Sequence, residues 1–310
     1  MTALKEAREK FGYRFLERAI GNTPLIHLRS MEVAEGVEVL AKAEHLNPGG
    51  SVKDRAALSI ILAGERSGNL RRGKTILDAT SGNTGISYAM IGAARGYKVA
   101  VALPANANGI RKRILALHGA EIIETDPLQG TDGAQAAARE LAKNDPAKYF
   151  YADQYNNEAN WKAHYLTTAE EIWAQTGGRV THFVAGLGTS GTFVGATRRL
   201  KEMNRSICAI SVQPATPLHG LEGLKHLNSA IVPGIYDPNL ADANSSIVTE
   251  AAQEMARRLA KDEGLLVGPS SGANVLAAVE LGKTLRERAF IVTVLCDGGW
   301  KYLNEEFWDE

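Results

Sequence analysis

The sequence predicts an α/β protein in which mostly parallel sheets are covered by helices, and three observations carry that expectation. Short runs rich in β-branched residues alternate with helical patterns along the chain, as they do where strands and helices follow one another into a parallel sheet. Glycine-rich turns stand between several of these runs and the helical pattern that follows, the position at which parallel sheets bind ligands. The chain is 310 residues long, and at about 100 to 200 residues per domain that suits two domains, each with its own core.

Taken in order, residues 1–20 read as a charged amphipathic helix with acids at Glu6 and Glu9. This start has neither the uninterrupted apolar core of a secretion signal nor the acid-poor character of a transit peptide. Strands are expected at 24–28, 37–43, 75–79, 98–103, 120–125, 181–186, 208–212 and 290–296, short apolar runs such as TILDA and FIVTVLC. Helices are expected at 53–67, 84–95, 109–118, 131–144, 157–176, 190–203, 246–263 and 272–287, the first with Ala56, Ile60 and Ala63 on one stripe. The interval 214–245 contains Pro214, Pro217, Pro233 and Pro238 and reads as a long loop, a kind that is more often functional than ornamental. The pattern from 45 to 152 reads as a compact, smaller βα unit inserted in a larger one made of 1–44 and 153–310.

Composition narrows the function classes. Hydrophobic residues make up 45% and charged residues 23%, with 35 basic and 35 acidic side chains interspersed for a net charge of +0. No basic excess argues for nucleic acid, and no like-charge run marks a membrane-surface helix. No apolar run reaches the ~18 to 20 residues of a membrane span, so a cytoplasmic protein is expected. Cys208 and Cys296 lie far apart in apolar runs, which indicates no disulfide framework. None of the seven histidines forms a ligand-spaced cluster with cysteine or acid, so no metal is expected.

Five stretches carry candidate chemistry. In NPGGSVKDR (47–55) the proline and glycines break regular structure just before a helix, placing Lys53 in its first turn. A cation there faces the positive end of the helix dipole, which favours the neutral, nucleophilic amine over a lysine titrating near ~10.4. A solvated surface lysine is the competing reading. TSGNTG (80–85) offers glycine turns, hydroxyls and an amide at a helix start, suited to a carboxylate or phosphate, although simple capping explains the same residues. GLGTSGT (186–192) matches the dinucleotide fingerprint at Gly186, Gly188 and Gly191. That fingerprint wants an acid at the end of the next strand, where Gln213 and Pro214 stand instead. A single phosphate held by backbone N–H groups and the hydroxyls of Thr189, Ser190 and Thr192 is therefore preferred to a nicotinamide cofactor, with a tightly packed helix start as the plain alternative. GPSSG (268–272) and CDGGWKYL (296–303) mean little alone: Ser270 and Ser271 suit caps, and Cys296 suits a core thiol.

In this order and spacing, NPGGSVKDR, TSGNTGI, DQYNN, GLGTSGT and GPSSG closely resemble the cysteine synthase branch of the fold-type II pyridoxal-phosphate enzymes. The likeness extends to GNTPLIHL, VPGIYDP and GWKYL and is nearest to the B-type members. It implies a tryptophan synthase β-like fold of two three-layer αβα domains. It implies pyridoxal 5'-phosphate as cofactor, held as an imine by Lys53, which then serves as the base toward the α-proton. Asn83 matches the residue bonded to the cofactor's ring hydroxyl, the loop Gly188, Thr189, Ser190, Gly191 and Thr192 the phosphate cradle, and Ser270 the partner of the pyridine nitrogen. Thr80, Ser81, Gly82, Thr84 and Gln154 match the substrate-carboxylate set.

The same likeness implies the reaction. An O-activated serine loses its β-substituent and a sulfur nucleophile adds at the β-carbon, giving L-cysteine. O-acetyl-L-serine is the expected donor and O-phospho-L-serine the alternative, with sulfide or thiosulfate among the acceptors. The loop after Pro214 departs from the B-type pattern and carries Lys225, which is expected to face the leaving group. Homocysteine as acceptor, as in cystathionine β-synthases, and a non-catalytic role as partner of serine acetyltransferase are the rival readings. Relatives are homodimers, and Phe11, Phe15 and Leu16 of the first helix could serve that contact.

Overall fold

Two mostly parallel sheets, one of six strands and one of four, organise the chain. The structure, a computed structural model, describes residues 16–80 and 82–309. The expected N-terminal helix, Phe11 and Phe15, and also Ser81, lie outside the described residues; Leu16 begins a short 3-10 turn, Leu16–Ala19.

The larger sheet has the order β1-β2-β10-β7-β8-β9. It comprises β1 (Leu25–His27), β2 (Val37–Lys42), β7 (His182–Gly186), β8 (Cys208–Pro214), β9 (Ala243–Ile247) and β10 (Ala289–Val294). Only β1 runs antiparallel, against β2. The smaller sheet has the order β5-β4-β3-β6, all parallel: β3 (Thr75–Ala79), β4 (Lys98–Pro104), β5 (Glu121–Thr125) and β6 (Tyr149–Tyr151).

Strand alternation sends the small sheet's side chains into two separate cores. Ile76, Val99, Val101 and Leu103 pack with Ile60, Ile86 and Leu115 on one face. Leu77, Ala79, Ala100 and Ala102 meet Ala134 and Ala138 on the other, as a side-chain period of two requires. Helices α1 (Lys53–Arg66), α2 (Asn83–Arg95), α3 (Gly109–Leu117) and α4 (Gly130–Asn144) supply those facing residues.

The larger sheet is likewise covered on both faces. Helix α7 (Gly191–Met203) brings Phe193 and Leu200 to one face. Helices α8 (Thr249–Glu263) and α9 (Pro269–Thr284) cover the other. A sheet buried on both sides needs continuous apolar strands rather than alternating ones, which is why these runs stand out in the sequence.

Five elements differ from expectation. The helix expected at 157–176 is α5 (Glu158–Ala163) and α6 (Ala169–Thr176) joined by a π turn, His164–Thr168. Helix α7 presses so close that a Cβ at Gly195 would lie 2.0 Å from the Trp161 carbonyl oxygen, and the extra backbone of a π turn accommodates that approach. Strands β6 and β9 were not expected: the first has three residues, and the second is a polar edge strand exposed along most of its length. Helix α9 begins at Pro269, because proline's fixed φ suits the first helical position; GPSSG is thus its first turn. Strand β10 ends at Val294, leaving Cys296 beyond it.

Candidate functional site

Lys53 is the first residue of α1, and its neighbours are pinned elsewhere. Asp54 accepts from the Gly49 N–H at 2.6 Å and from Ser87 Oγ, with burial pushing its carboxyl up to about 6. Arg55 is locked to Glu44 at 2.7 Å and to Glu171 at 2.6 Å. The loop before the helix is tied to the far end of the chain, where Val52 N–H donates to the Cys296 carbonyl at 2.8 Å. The side chain of Lys53 is left to line a cavity of about 680 Å³ together with Thr80, Thr84, Gln154, Thr189 and Lys225.

The polar wall of this cavity is preorganised. Thr84 Oγ1 donates to Gln154 Oε1 at 2.7 Å, and Gln154 Nε2 donates to the Ala79 carbonyl at 2.6 Å. The Gly82 N–H donates to Thr80 Oγ1 at 3.0 Å. Of the five residues expected to bind the substrate carboxylate, Thr80, Gly82, Thr84 and Gln154 are thereby gathered at the β3–α2 turn; Ser81 lies outside the described residues.

Deeper in, Lys53 shares a small recess with Gly188, Thr189, Ser190, Thr192 and Cys296. The loop ends at the N-terminus of α7, whose first backbone N–H groups have no helical partner. Close packing demands its glycines: a Cβ at Gly188 would sit 2.0 Å from the Gly223 carbonyl oxygen, and one at Gly191 2.0 Å from Asn160 Oδ1. Ser190 adopts a left-handed backbone at φ 68°, uncommon for a residue with a side chain, and its buried hydroxyl has no partner. Asn160 Nδ2 holds Thr189 Oγ1 at 2.9 Å, and His164 Nε2 meets Thr192 Oγ1 at 3.3 Å. Burial pushes the His164 imidazole down to about 3, with the charges of Arg55 and Lys53 acting in the same direction, so it is neutral. His164 belongs to the π turn, a feature frequent at functional sites.

The C-terminal segment closes the recess. Ser270 and Ser271 lie buried in the first turn of α9, and Ser271 Oγ accepts from the Cys296 N–H at 2.8 Å. Cys296 is half-buried and lines the recess, and burial pushes its thiol up to about 11. Asn83 Nδ2 donates to Asp297 Oδ2 at 2.6 Å, and Tyr302 donates to the same oxygen at 2.7 Å. Lys301 donates to Asn83 Oδ1 at 2.7 Å. Asp297, Lys301 and Tyr302 had no assigned part in the sequence reading, although they fall in the CDGGWKYL stretch it singled out.

Lys225 lines the cavity but is not alone there. Its ammonium is 2.7 Å from Asp132 Oδ1 and 5.2 Å from the ring centre of Tyr155. Asp132 Oδ2 also accepts from the Ile231 N–H at 2.9 Å, and Glu222 pairs with the buried Arg111 of α3. The long loop after β8 is thus fastened by two ion pairs to helices that cover the smaller sheet. At the end of β8, Gln213 Oε1 accepts from the Leu227 N–H at 3.3 Å, so the position where a dinucleotide site needs its ribose acid is filled by a loop contact. Among the described residues no group of three His, Cys, Asp or Glu side chains could hold a metal ion. No helix among them is long and apolar enough to cross a membrane.

Comparison with known proteins agrees with this geometry. Residues 16–297 match the family described as pyridoxal-phosphate dependent enzyme. A cysteine synthase of Aquifex aeolicus is 52% identical over 93% of this chain and 90% of its own length. Cysteine synthase B of Escherichia coli is 41% identical over 93% and 94%. The crystal structure of a cysteine synthase from Entamoeba histolytica superposes with a TM-score of 0.90 at 35% identity, covering 96% of this chain and 91% of that one. A lysine at a helix start beside a glycine-rich, hydroxyl-bearing loop, on a fold shared almost end to end with these proteins, has one reading: the chain belongs to the pyridoxal-phosphate dependent enzymes, in the cysteine synthase family, with pyridoxal phosphate as its cofactor.

Proposed function

We propose that this protein makes L-cysteine by replacing the β-substituent of an O-activated serine with a sulfur nucleophile such as sulfide or thiosulfate. O-acetyl-L-serine is the first candidate for the donor and O-phospho-L-serine the second. The observation that carries the proposal is the position of Lys53 on the shared wall of two sites, the small recess at the glycine loop and the larger cavity beside it.

The residues present fit the cofactor. Ser190 offers a buried, unpartnered hydroxyl at the N-terminus of α7, where a phosphate finds backbone donors and a favourable dipole. Gly188, Thr189, Gly191 and Thr192 complete that cradle, Asn83 would meet the ring oxygen, and Ser270 the ring nitrogen. When bound, pyridoxal phosphate supplies the electron sink that acidifies the α-carbon of an amino acid.

The chain's own groups do the rest. Lys53 Nζ would hold the cofactor and, once free of it, would serve as the base for the substrate's α-proton. Thr80, Ser81, Gly82, Thr84 and Gln154 orient the substrate carboxylate, and a neutral hydroxyl at Ser270 limits the electron sink to what β-elimination needs. The smaller unit, 45–152, moves against the larger one, 1–44 with 153–310, to exclude water around the β-carbon. The ion pairs Arg111–Glu222 and Asp132–Lys225, which tie the long loop to the helices of the smaller unit, support that closure. A homodimer, a cytoplasmic location and association with serine acetyltransferase complete the proposal. Light scattering showing a monomer would count against the first, and failure to co-elute with the acetyltransferase against the last.

The test is an absorbance spectrum of the purified protein, repeated with O-acetyl-L-serine and with O-phospho-L-serine, then with sulfide. The expected result is a visible band that one donor shifts and sulfide restores, with cysteine formed, and a Lys53→Ala variant lacking the initial band. A protein that stays colourless after incubation with pyridoxal phosphate would overturn the proposal.

A further inference from the structure

Lys301 is wholly buried, and its ammonium is spent on neutral acceptors. It donates to the Gly49 carbonyl at 2.9 Å, the Gly50 carbonyl at 3.1 Å and Asn83 Oδ1 at 2.7 Å. Burying a cation in this way is costly, and the cost is visible: burial pulls the Lys301 pKa down to about 8, although Asp297 and Asp54 favour the charged form. A side chain needed only for packing would be better served by methionine.

What the lysine does follows from donor and acceptor chemistry. An ammonium has three donors and no acceptor, while a carboxylate accepts only. Asn83 stands between the two, with Lys301 on its Oδ1 and Asp297 on its Nδ2. Its amide can therefore adopt one orientation and not the flipped one, and one Nδ2 hydrogen is left for a further acceptor. The same ammonium grips Gly49 and Gly50, the turn from which Lys53 emerges three residues after Gly50.

We propose that Lys301 is a positioning residue for the cofactor: it compels Asn83 to offer its amide N–H to the ring oxygen and couples that amide rigidly to the turn carrying Lys53. The proposal rests on the assignment of Asn83 and Lys53 to the cofactor site. Without the ammonium, Asn83 Oδ1 loses its donor, the amide is held by Asp297 alone, and its link to the turn carrying Lys53 is gone.

The test compares the wild type with Lys301→Met, Lys301→Gln, Asn83→Ala and the double variant Lys301→Met/Asn83→Ala. Two quantities are measured: the dissociation constant of pyridoxal phosphate from fluorescence titration of the apo proteins, and the pH midpoint of the visible band after loading. Unfolding of the apo forms reports on the fold, and Lys301→Gln, which keeps a donor for the turn carbonyls, carries the test if the methionine variant does not fold. Lys301→Met is expected to weaken cofactor binding roughly tenfold, the worth of one charge-assisted hydrogen bond, and to move the pH midpoint. In the Asn83→Ala background the same change is expected to weaken binding less than about threefold, because the pair acts as a unit. Unchanged affinity and midpoint in the Lys301 variants, or an equal factor with and without Asn83, would overturn the proposal. A wild type that takes up no pyridoxal phosphate would overturn the cofactor assignment and this proposal together, whereas a loaded wild type beside indifferent Lys301 variants would overturn this proposal alone.

Discussion

Gly188→Ala tests whether the loop before α7 is a cradle or merely a tight turn. The added Cβ would lie 2.0 Å from the Gly223 carbonyl oxygen, against an ordinary contact near 3.4 Å, so about 1.4 Å must be found between two backbone segments. Those segments are joined by the Lys225 N–H bond to the Leu187 carbonyl at 2.7 Å, and neither can yield as a side-chain tip would. Overpacking of this kind costs about 1–3 kcal/mol. Because the displaced groups are the proposed phosphate donors, that cost should fall on cofactor affinity and raise the dissociation constant by roughly five- to hundredfold. Gly264→Ala is the control. Gly264 caps α8 at φ +70° with open space around its missing Cβ, so an alanine there costs on the order of 1 kcal/mol of folding stability through backbone strain alone. The assay is fluorescence titration of each apo protein with pyridoxal phosphate, beside urea unfolding of the same samples. The reasoning fails if Gly188→Ala binds the cofactor as tightly as wild type, or if Gly264→Ala loses affinity by a comparable factor.

Other perturbations address the rest of the chain. Arg55→Met should destabilise the fold by about 3–5 kcal/mol, since it removes the ion-pair partner of the fully buried Glu44; a urea midpoint within error of wild type would contradict this. Burial raises the Asp78 carboxyl to about 7, above its unfolded value near ~3.9, so the folded state holds the proton more tightly. Its contribution is therefore fully present below about pH 4 and is lost as pH rises toward 7, at up to about 1.4 kcal/mol per pH unit. Asp78→Asn should flatten that slope in melting temperature against pH, although overall stability falls because two backbone donors, Ala79 and Gln154, then share one acceptor. Lys225→Ala should lower kcat/KM for O-phospho-L-serine by a larger factor than for O-acetyl-L-serine, and Asp132→Asn should shift the ratio the opposite way. Equal factors for both donors would show that Lys225 does not face the leaving group.

How far the sequence discloses this site depends on the distance over which each residue's role is set. Strands β4 and β10 are legible because burial on both faces writes nearly continuous apolar runs, and Lys53 stands out because its oddity, a cation at a helix start after two glycines, is local. The glycine loop before α7 is legible for the same reason, and so is the failure of its dinucleotide match, since the missing acid is judged at a neighbouring strand end. Strand β9 leaves no such trace: as a polar edge it borrows its hydrogen bonds from β8. Nor does the π turn at His164–Thr168, against which Gly195 of a different helix packs closely. The hidden functional residues are hidden in the same way. Asp132 reads as one more acid in a helix until Lys225, 93 residues on, arrives beside it. Lys301 and Asn83 are 218 residues apart, and only the fold reveals that a lysine in a C-terminal turn fixes which way an amide at the start of α2 must point. A composition of 35 basic and 35 acidic residues looks like a solvated surface, yet the charges that order this site are among those withdrawn from it, and burial, not residue type, distinguishes them.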